Sequence, residues 1–203
     1  FNYSYILIIS LIFVTLISWI EFQGLIAKIF KKKSTKINFY RITINGLSLI
    51  YLTMFSAIIF SGISQDNFKM SMLYLFSICI CSDVGGLFFG KIFKGKKLTK
   101  ISPNKTISGS IGSFILSLCL VPIFNLLLTD QFSNLIDLIL LAILVSFLCQ
   151  LGDLFISFLK RKAKVKDTGD ILPGHGGLLD RIDGMILAIP LGMFIWEFLI
   201  VVI

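Results

Sequence analysis

The sequence predicts an all-α, polytopic integral membrane protein with about six transmembrane helices, whose cytoplasmic loops form the functional site. Two observations carry this prediction: 56% of the 203 residues are hydrophobic, and the mean hydropathy is +0.94. A soluble core of this length does not need that much apolar surface. Because lipid offers backbone polar groups no outside partner, helices are the form in which such segments cross a bilayer.

Six apolar stretches approach the roughly 20 residues that a transmembrane helix needs. They are Tyr3–Ile20, Ile42–Ile63, Met70–Gly90, Ile107–Leu128, Leu135–Leu159 and Met185–Ile203. We expect these spans to form one membrane domain over residues 1–203.

The basic residues alternate between connections. Six of the 19 Lys and Arg lie in each of Lys28–Arg41, Lys91–Lys105 and Lys160–Arg181, and the remaining one, Lys69, lies in the second connection. The positive-inside rule then puts the first, third and fifth connections in the cytoplasm and both termini outside. Attraction to anionic lipid headgroups explains much of this charge as well. A nucleic-acid partner is not expected, since no soluble domain carries the charge.

Acidic side chains within membrane spans are costly and are candidates for function. In this topology Asp83 and Asp153 lie near the cytoplasmic ends of the third and fifth spans, and Asp180 and Asp183 stand where the sixth begins. Carboxylates from three separate stretches therefore reach one depth in one leaflet. Alternatively, each carboxylate could cap a helix or form an ion pair locally. The convergence of the four carboxylates favours a shared site instead.

The fifth span carries polar residues on one face. Gln150, Asp153, Ser157, Lys160 or Arg161, and Lys164 recur every three or four residues. Such a face lines a wet cavity or packs on polar neighbours. If the segment "LLDRID" is helical, Asp180 and Asp183 point the same way, and Arg181 points elsewhere, toward a carboxylate or a phosphate.

Carboxylates beside a cation-rich loop are typical of a Mg²⁺ and phosphate site. Mg²⁺ takes oxygen ligands, usually one or two protein carboxylates together with phosphate and water. Lys and Arg neutralise the remaining phosphate charge. The segment "PGHGG" (Pro173–Gly177) lets backbone approach a ligand closely, although it lacks the P-loop pattern.

The third connection repeats this combination. The stretch "SDVGGLFFGKIFKGKKLTKISPNKT" joins Asp83 and a glycine face to Lys105 and Thr106. Ser102 or Asn104 is expected to cap the fourth helix, whose N-terminus favours anions. A capped basic loop without a ligand explains this stretch equally well.

Two stretches resemble a known family. "SFLKRKAKVKDTGDILPGHGGLLDRID", Ser157 to Asp183, closely resembles the signature of the phosphatidate cytidylyltransferases, also called CDP-diacylglycerol synthases, and "GDL" (Gly152–Leu154) precedes it as in the family. "D…G…FG…K…ISPNKT…G", Asp83 to Gly109, resembles a second recurring stretch of the family. The resemblance covers about the last 125 residues.

The resemblance implies an integral membrane enzyme of phospholipid biosynthesis. Such an enzyme joins phosphatidic acid to CTP, giving CDP-diacylglycerol and pyrophosphate, with Mg²⁺ and room for a second, monovalent ion such as K⁺. The catalytic region would be 69–203, preceded by N-terminal helices in 1–68. The expected partners are CTP, phosphatidic acid, membrane lipids and a second copy of the chain in a homodimer. Richness in Ile, Phe, Lys and Asn indicates a bacterial source, hence the inner membrane.

The resemblance also implies roles for individual residues. The catalytic set is Asp153, Asp180, Asp183, Lys166 and Asp167, and the metal ligands are Asp153, Asp180 and Asp183. The substrate-binding set is Asp83, Lys105, Thr106, Ser157, Lys160, Arg161, His175, Gly176, Gly177 and Arg181. A turn-stabilising role for His175 is an equal alternative to a phosphate contact.

Besides a weaker third choice, an inactive relative with a structural role only, two other functions stay open at this point. One is a CTP-dependent enzyme that acts on another lipid phosphate, such as an archaeol phosphate, or on a polyprenol. The other is a cation-coupled transporter, which predicts carboxylates near the bilayer midplane and at both mouths. The predicted clustering of the carboxylates at the cytoplasmic end favours an enzyme. Glu197, toward the outer side of the last span, has no role in the enzymatic interpretation.

Overall fold

A computed structural model describes residues 3–31, 34–99, 102, 105–128, 135–171 and 176–202, without the side chains of 200–202. Its helices are α1 (Tyr3–Ile29), α2 (Thr35–Ser64), α3 (Asp66–Phe93), α4 (Ile107–Leu118), α5 (Val121–Leu127), α6 (Leu135–Lys162) and α7 (Leu179–Val202). Because the described ranges are helical apart from turns, short loops and one isolated bridge, the all-α prediction is confirmed.

Within the described residues, six helical segments are long and apolar enough to cross a membrane, as predicted. Several helices extend beyond the apolar stretches that predicted them: α1 continues to Ile29 and α7 begins at Leu179. Hydropathy detects the lipid-facing part of a helix, whereas the backbone hydrogen bonds continue past it. The additional turns matter because they carry acidic residues of the site.

The predicted fourth span, Ile107–Leu128, is two helices. A turn at Cys119 and Leu120 separates α4 from α5, and Pro122 lies in the first turn of α5. Proline lacks a backbone N–H and restricts the residue before it, so it is tolerated at a helix start and interrupts a helix interior.

Glycines bring the backbones of α3 and α4 into contact. A Cβ atom at Gly85 would lie 2.5 Å from the carbonyl oxygen of Gly112, and one at Gly112 would lie 2.4 Å from Cβ of Phe89. Small residues of this kind allow close helix packing where hydrophobic exclusion from water cannot drive association. The expected glycine face of the third span, Gly86 and Gly90, also packs on this region: a Cβ atom at Gly86 would lie 2.9 Å from Oγ of Ser113, and one at Gly90 would lie 3.1 Å from Oγ1 of Thr106.

The contact between α6 and α7 is equally close. A Cβ atom at Gly152 would lie 2.5 Å from the carbonyl oxygen of Asp183, and one at Gly184 would lie 2.5 Å from Sγ of Cys149. This packing fixes the register of the two helices and holds Asp153, the neighbour of Gly152, level with Asp183.

Two apolar clusters stabilise the bundle. The larger one includes Tyr74 and Trp196, both fully buried, with ring centroids 6.5 Å apart. The smaller one joins α1, α2, α6 and α7 and includes Leu25, Ile156 and Leu179. The smaller cluster lies beside the polar residues described next and supports them.

Candidate functional site

Three helices bring carboxylates to one end of the bundle. Sγ of Cys149 in α6 lies 3.6 Å from Oδ1 of Asp83 in α3, and Gly152 in α6 packs on the backbone of Asp183 in α7. Asp153 is within electrostatic range of both Asp83 and Asp183. The three acids, far apart in sequence, therefore share one local environment.

Lys105 supplies a positive charge to this group by forming an ion pair with Asp153. Its position is fixed by an isolated antiparallel bridge in the connection between α3 and α4. The N–H of Leu98 donates to the carbonyl of Lys105 at 2.8 Å, and the N–H of Ile107 donates to that of Lys96 at 2.9 Å. The bridge thus holds the cation over the carboxylates at the start of α4.

Thr106 caps α4. Its hydroxyl oxygen accepts the N–H of Gly109 at 3.1 Å. The expected cap at Ser102 is wrong, because α4 begins at Ile107 and only the residue directly before a helix holds the capping position. The N–H of Ser102 instead donates to the hydroxyl of Thr99 at 3.2 Å, and Asn104 lies outside the described residues.

The polar face of α6 packs on polar neighbours, as predicted. Ser110 of α4 donates to Oε1 of Gln150 at 2.5 Å, and Ser157 donates to Asp153 at 3.3 Å. Lys164, expected to continue this face, lies beyond the end of α6 with a left-handed φ of 56°.

Asp180 is held by a second cation. Lys160 donates to its Oδ1 at 2.7 Å, and the two side chains are only 13% and 10% exposed. Its Oδ2 accepts the N–H of Thr168 at 2.8 Å, the hydroxyl of Thr168 at 3.1 Å and the N–H of Gly177 at 3.2 Å. A buried ion pair is tolerated when further hydrogen bonds satisfy its charges, and Asp180 meets that condition.

Glu21 of α1 is a site residue that sequence reasoning missed. It is buried, and it accepts the N–H groups of Leu178 at 2.9 Å and Leu179 at 2.8 Å. The first N–H groups of a helix have no partner within the helix, and a negative charge there is favourable. Glu21 thus caps α7 from outside the predicted catalytic region 69–203.

Thr168 connects the two buried acids. Its hydroxyl lies 2.8 Å from Oε2 of Glu21 and 3.1 Å from Oδ2 of Asp180. Because a hydroxyl has one proton, it donates fully to one acid or is shared by both. Either way, the loop between α6 and α7 is tied at one residue to α1 and to α7.

The described glycines of "PGHGG" make room for this network. A Cβ atom at Gly177 would lie 2.1 Å from the hydroxyl oxygen of Thr168 and 2.4 Å from Oε2 of Glu21. Gly176 has a left-handed φ of 79°, a conformation that favours glycine. The sequence predicted that these glycines let the backbone come close to a ligand. At Gly177 the backbone instead comes close to the side chains of Thr168 and Glu21.

Among the other predicted residues, Asp183 is half-buried and accepts the N–H of Gly184 at 2.8 Å. Arg161, Lys166, Asp167 and Arg181 are exposed. His175 lies outside the described residues.

The sequence contained one weak indication that Glu21 has a functional role. Glu21 directly follows the predicted first span, where an acid is as costly as in the other spans. Only the fold reveals its partner, because Glu21 and Leu179 are 158 residues apart in the chain.

Within the described ranges, no three His, Cys, Asp or Glu side chains are arranged as a complete metal site. Asp83, Asp153 and Asp183 are within electrostatic range of one another and could supply oxygen donors. Both oxygens of Asp153 and both oxygens of Asp180 already have protein partners, so either acid must release a contact to bind a metal ion. A Mg²⁺ ion that arrives with a phosphate needs only one or two protein carboxylates, so this donor set fits such an ion.

Comparison with known proteins extends the resemblance to nearly the whole chain. The sequence profile of the cytidylyltransferase family matches residues 1–199, and so includes Glu21. A phosphatidate cytidylyltransferase of Rickettsia felis is 41% identical over 157 residues, covering 74% of this chain and 68% of the relative. Those of Staphylococcus haemolyticus and Bacillus subtilis are 47% and 40% identical over 59% and 63% of this chain.

The chain spans about half the length of two of these relatives, 46% for Staphylococcus haemolyticus and 48% for Bacillus subtilis. The profile match nevertheless covers the carboxylate cluster, both lysine partners and the α7 cap. The chain belongs to the cytidylyltransferase family.

Proposed function

We propose that this protein transfers CMP from CTP to phosphatidic acid, giving CDP-diacylglycerol and pyrophosphate. The observation that carries the proposal is the meeting of four carboxylates, Asp83, Asp153, Asp180 and Asp183, with two lysines at one end of a membrane bundle. The relatives named phosphatidate cytidylyltransferase support the substrates.

The site end of the bundle faces the cytoplasm of a bacterial cell in this proposal. The ends of α3 and α6 near the carboxylates lead into two of the three basic segments, which the positive-inside rule assigns to the cytoplasm. A water-soluble nucleotide and a lipid phosphate can meet there, because the acids lie where helices leave the apolar region.

The reaction brings two anionic substrates together. A phosphate oxygen of phosphatidic acid attacks the α-phosphorus of CTP, and the bond to the bridging oxygen breaks, so that pyrophosphate leaves with the electron pair. Catalysis of this kind depends on positioning and charge neutralisation. A phosphate monoester is already anionic at neutral pH, so no protein nucleophile is needed, and Lys105 and Lys160 supply positive charge.

Mg²⁺ is part of this proposal, with a monovalent ion such as K⁺ as an optional second ion. Asp153 and Asp183 would hold Mg²⁺, and Asp180 would join them by releasing one of its present hydrogen bonds. When bound, Mg²⁺ neutralises phosphate charge and stabilises the leaving pyrophosphate. Lys105 would then exchange part of its contact with Asp153 for a substrate phosphate.

A transporter is the less favoured function. It requires ion-binding acids along a path through the membrane. The other acid of α6, Asp137, is buried and lies in the first turn of that helix, where a negative charge is favourable for the helix dipole. No described group of acids surrounds it as a carried-ion site would require.

A product assay tests the proposed function. Purified protein in detergent is given one lipid, which is phosphatidic acid, an archaeol phosphate or a polyprenol. The CTP is labelled at the α-phosphate or, in a parallel reaction, at the γ-phosphate, which a polyprenol kinase would transfer. We expect label in the lipid phase with phosphatidic acid at least about tenfold above either alternative, a discrimination of about 1.4 kcal/mol. Preferred labelling of another lipid would reassign the substrate. No labelled lipid from folded protein would contradict the activity.

A further inference from the structure

A cavity lies apart from the carboxylate cluster, between the end of α1, the start of α2 and the end of α6. Its volume is about 350 Å³, and four of the described lysines line it: Lys28, Lys31, Lys162 and Lys164. Its other walls are apolar and include Phe30 and Ile37.

The four lysines are not neutralised by described acids. The salt bridges of Asp66, Asp153 and Asp180 are made with Lys69, Lys105 and Lys160, not with these four lysines, and no described acidic side chain lines the cavity. The ammonium of Lys162 lies 4.7 Å from the ring centroid of Phe158, a contact that leaves its charge in place. The cavity therefore carries a concentrated positive charge.

The cavity lies at the ends of three helices that are long and apolar enough to cross a membrane, where a lipid headgroup would lie. Two membrane-spanning helices end there, α1 at Ile29 and α6 at Lys162, and a third, α2, begins at Thr35. The residue before α2, Ser34, makes no side-chain cap, so helix N–H groups add positive charge. The lining of the cavity, lysines beside apolar side chains, is complementary to a phospholipid, which has a charged headgroup and an apolar body.

We propose that this cavity binds the headgroup of an anionic membrane phospholipid that is not a substrate. The lysines would contact the phosphate, and Phe30 and Ile37 would contact the glycerol and the first acyl carbons. This assignment goes beyond the proposed transferase activity, because Lys105 and Lys160, the cations of the carboxylate cluster, are not part of the cavity. Lys162 nevertheless lies only two residues after Lys160, so an occupied cavity would steady the end of α6.

Retention of phosphatidylglycerol tests this site. Phosphatidylglycerol is a phosphodiester, so it cannot replace phosphatidic acid as the proposed nucleophile. Purified full chain in detergent is mixed with phosphatidylglycerol or phosphatidylcholine, and bound lipid is counted by native mass spectrometry. The variant changes Lys28, Lys31, Lys162 and Lys164 to Gln. Its control changes Lys91, Lys94, Lys96 and Lys97, all exposed, to Gln and so removes the same charge elsewhere.

We expect wild type to retain phosphatidylglycerol over phosphatidylcholine. The cavity variant should lose at least about tenfold in retention and the control less than about twofold, because each lysine near an anionic headgroup contributes attraction. Equal losses in both variants would mean general surface charge and would overturn the site. Equal retention of the two lipids, or full displacement by millimolar inorganic phosphate, would overturn the lipid assignment.

A smaller variant keeps the test decisive if the fourfold one does not fold. Lys28→Gln with Lys162→Gln is compared with Lys91→Gln plus Lys96→Gln, each first checked by gel filtration. The cavity pair should lose about fivefold in retention, and an equal loss in the control pair would refute the proposal.

Discussion

The carboxylate of Glu21, in α1, accepts the backbone N–H of Leu179 at the start of α7, at 2.8 Å. The contact joins the first membrane helix to the last and sets where α7 begins. Asp180 and Asp183 lie in the first turns of α7, so their positions depend on this cap.

Replacing Glu21 with Gln tests the cap. The amide keeps one acceptor oxygen but turns an NH₂ group toward buried donors, which leaves at least one donor unsatisfied. We expect a loss of about 2 kcal/mol in stability, seen as a lower unfolding temperature in detergent, and at least about tenfold lower turnover. Faster hydrogen–deuterium exchange of the backbone amides of Leu178 and Leu179 would show that the loss of stability arises at the start of α7.

Glu197→Gln is the matched control, since Glu197 is an exposed acid in α7, the helix that Glu21 caps. It should change stability by less than about 0.5 kcal/mol. If Glu21→Gln behaved like this control, the cap would not support the site.

The ion pair between Lys160 and Asp180 should be much more important than the one between Lys69 and Asp66. The first pair is largely buried, whereas the side chains of the second are 53% and 91% exposed. Lys160→Met leaves a buried carboxylate without its cation, which costs about 3 kcal/mol. Lys69→Met should cost no more than about 1 kcal/mol.

Chemical unfolding and lipid labelling measure this difference. Lys160→Met should also lower turnover at least about a hundredfold, and Lys160→Arg should restore part of the stability because it returns the charge. Equal stability losses at the two lysines would contradict the assignment of Lys160 as a buried partner.

Close packing of α6 on α7 predicts a strong effect at Gly152. A methyl group there would lie 2.5 Å from the carbonyl oxygen of Asp183 and must push the helices apart. We expect Gly152→Ala to cost about 2 kcal/mol and to lower turnover at least about tenfold, because Asp153 moves away from Asp183. Thermal unfolding and product formation measure both effects.

Gly46→Ala in α2 provides the comparison, since no atom lies within 4 Å of a Cβ built at Gly46. Alanine favours a helix over glycine by up to about 1 kcal/mol, so this variant should be neutral or slightly stabilising. Tolerance of alanine at Gly152 equal to that at Gly46 would refute the close contact.

Much of the fold followed from the sequence because lipid imposes a simple rule on it. Apolar stretches of about 20 residues must be helical, and the six spans were found on that basis. Their ends were less accurate: the apolar stretch of the first span stops before Glu21, but the helix continues to Ile29. The break before Pro122 was missed because the apolar run continues through it.

The part of the site that follows from membrane topology, the end of the bundle at which each acid lies, was predictable from the sequence. Asp83, Asp153 and Asp183 could be assigned to one end because their spans alternate in direction. The partners of these acids depend on tertiary contacts, as for Lys105, which an isolated bridge holds against Asp153. The hydrogen bonds of Thr168 could not be read from sequence, because its two acidic acceptors come from opposite ends of the chain.

Pyrophosphate release by purified wild type and Asp153→Asn tests the central claim most directly. Each protein receives CTP, phosphatidic acid and Mg²⁺, with EDTA as a parallel condition and Asp66→Asn as a control at an exposed, ion-paired aspartate. We predict that wild type releases pyrophosphate only when both substrates are present and that EDTA stops this release. In folded Asp153→Asn the rate of release should fall at least about a thousandfold, which corresponds to about 4 kcal/mol of transition-state stabilisation. In Asp66→Asn release should persist. Near-normal release from Asp153→Asn, or release that EDTA does not change, would contradict the carboxylate-centred site.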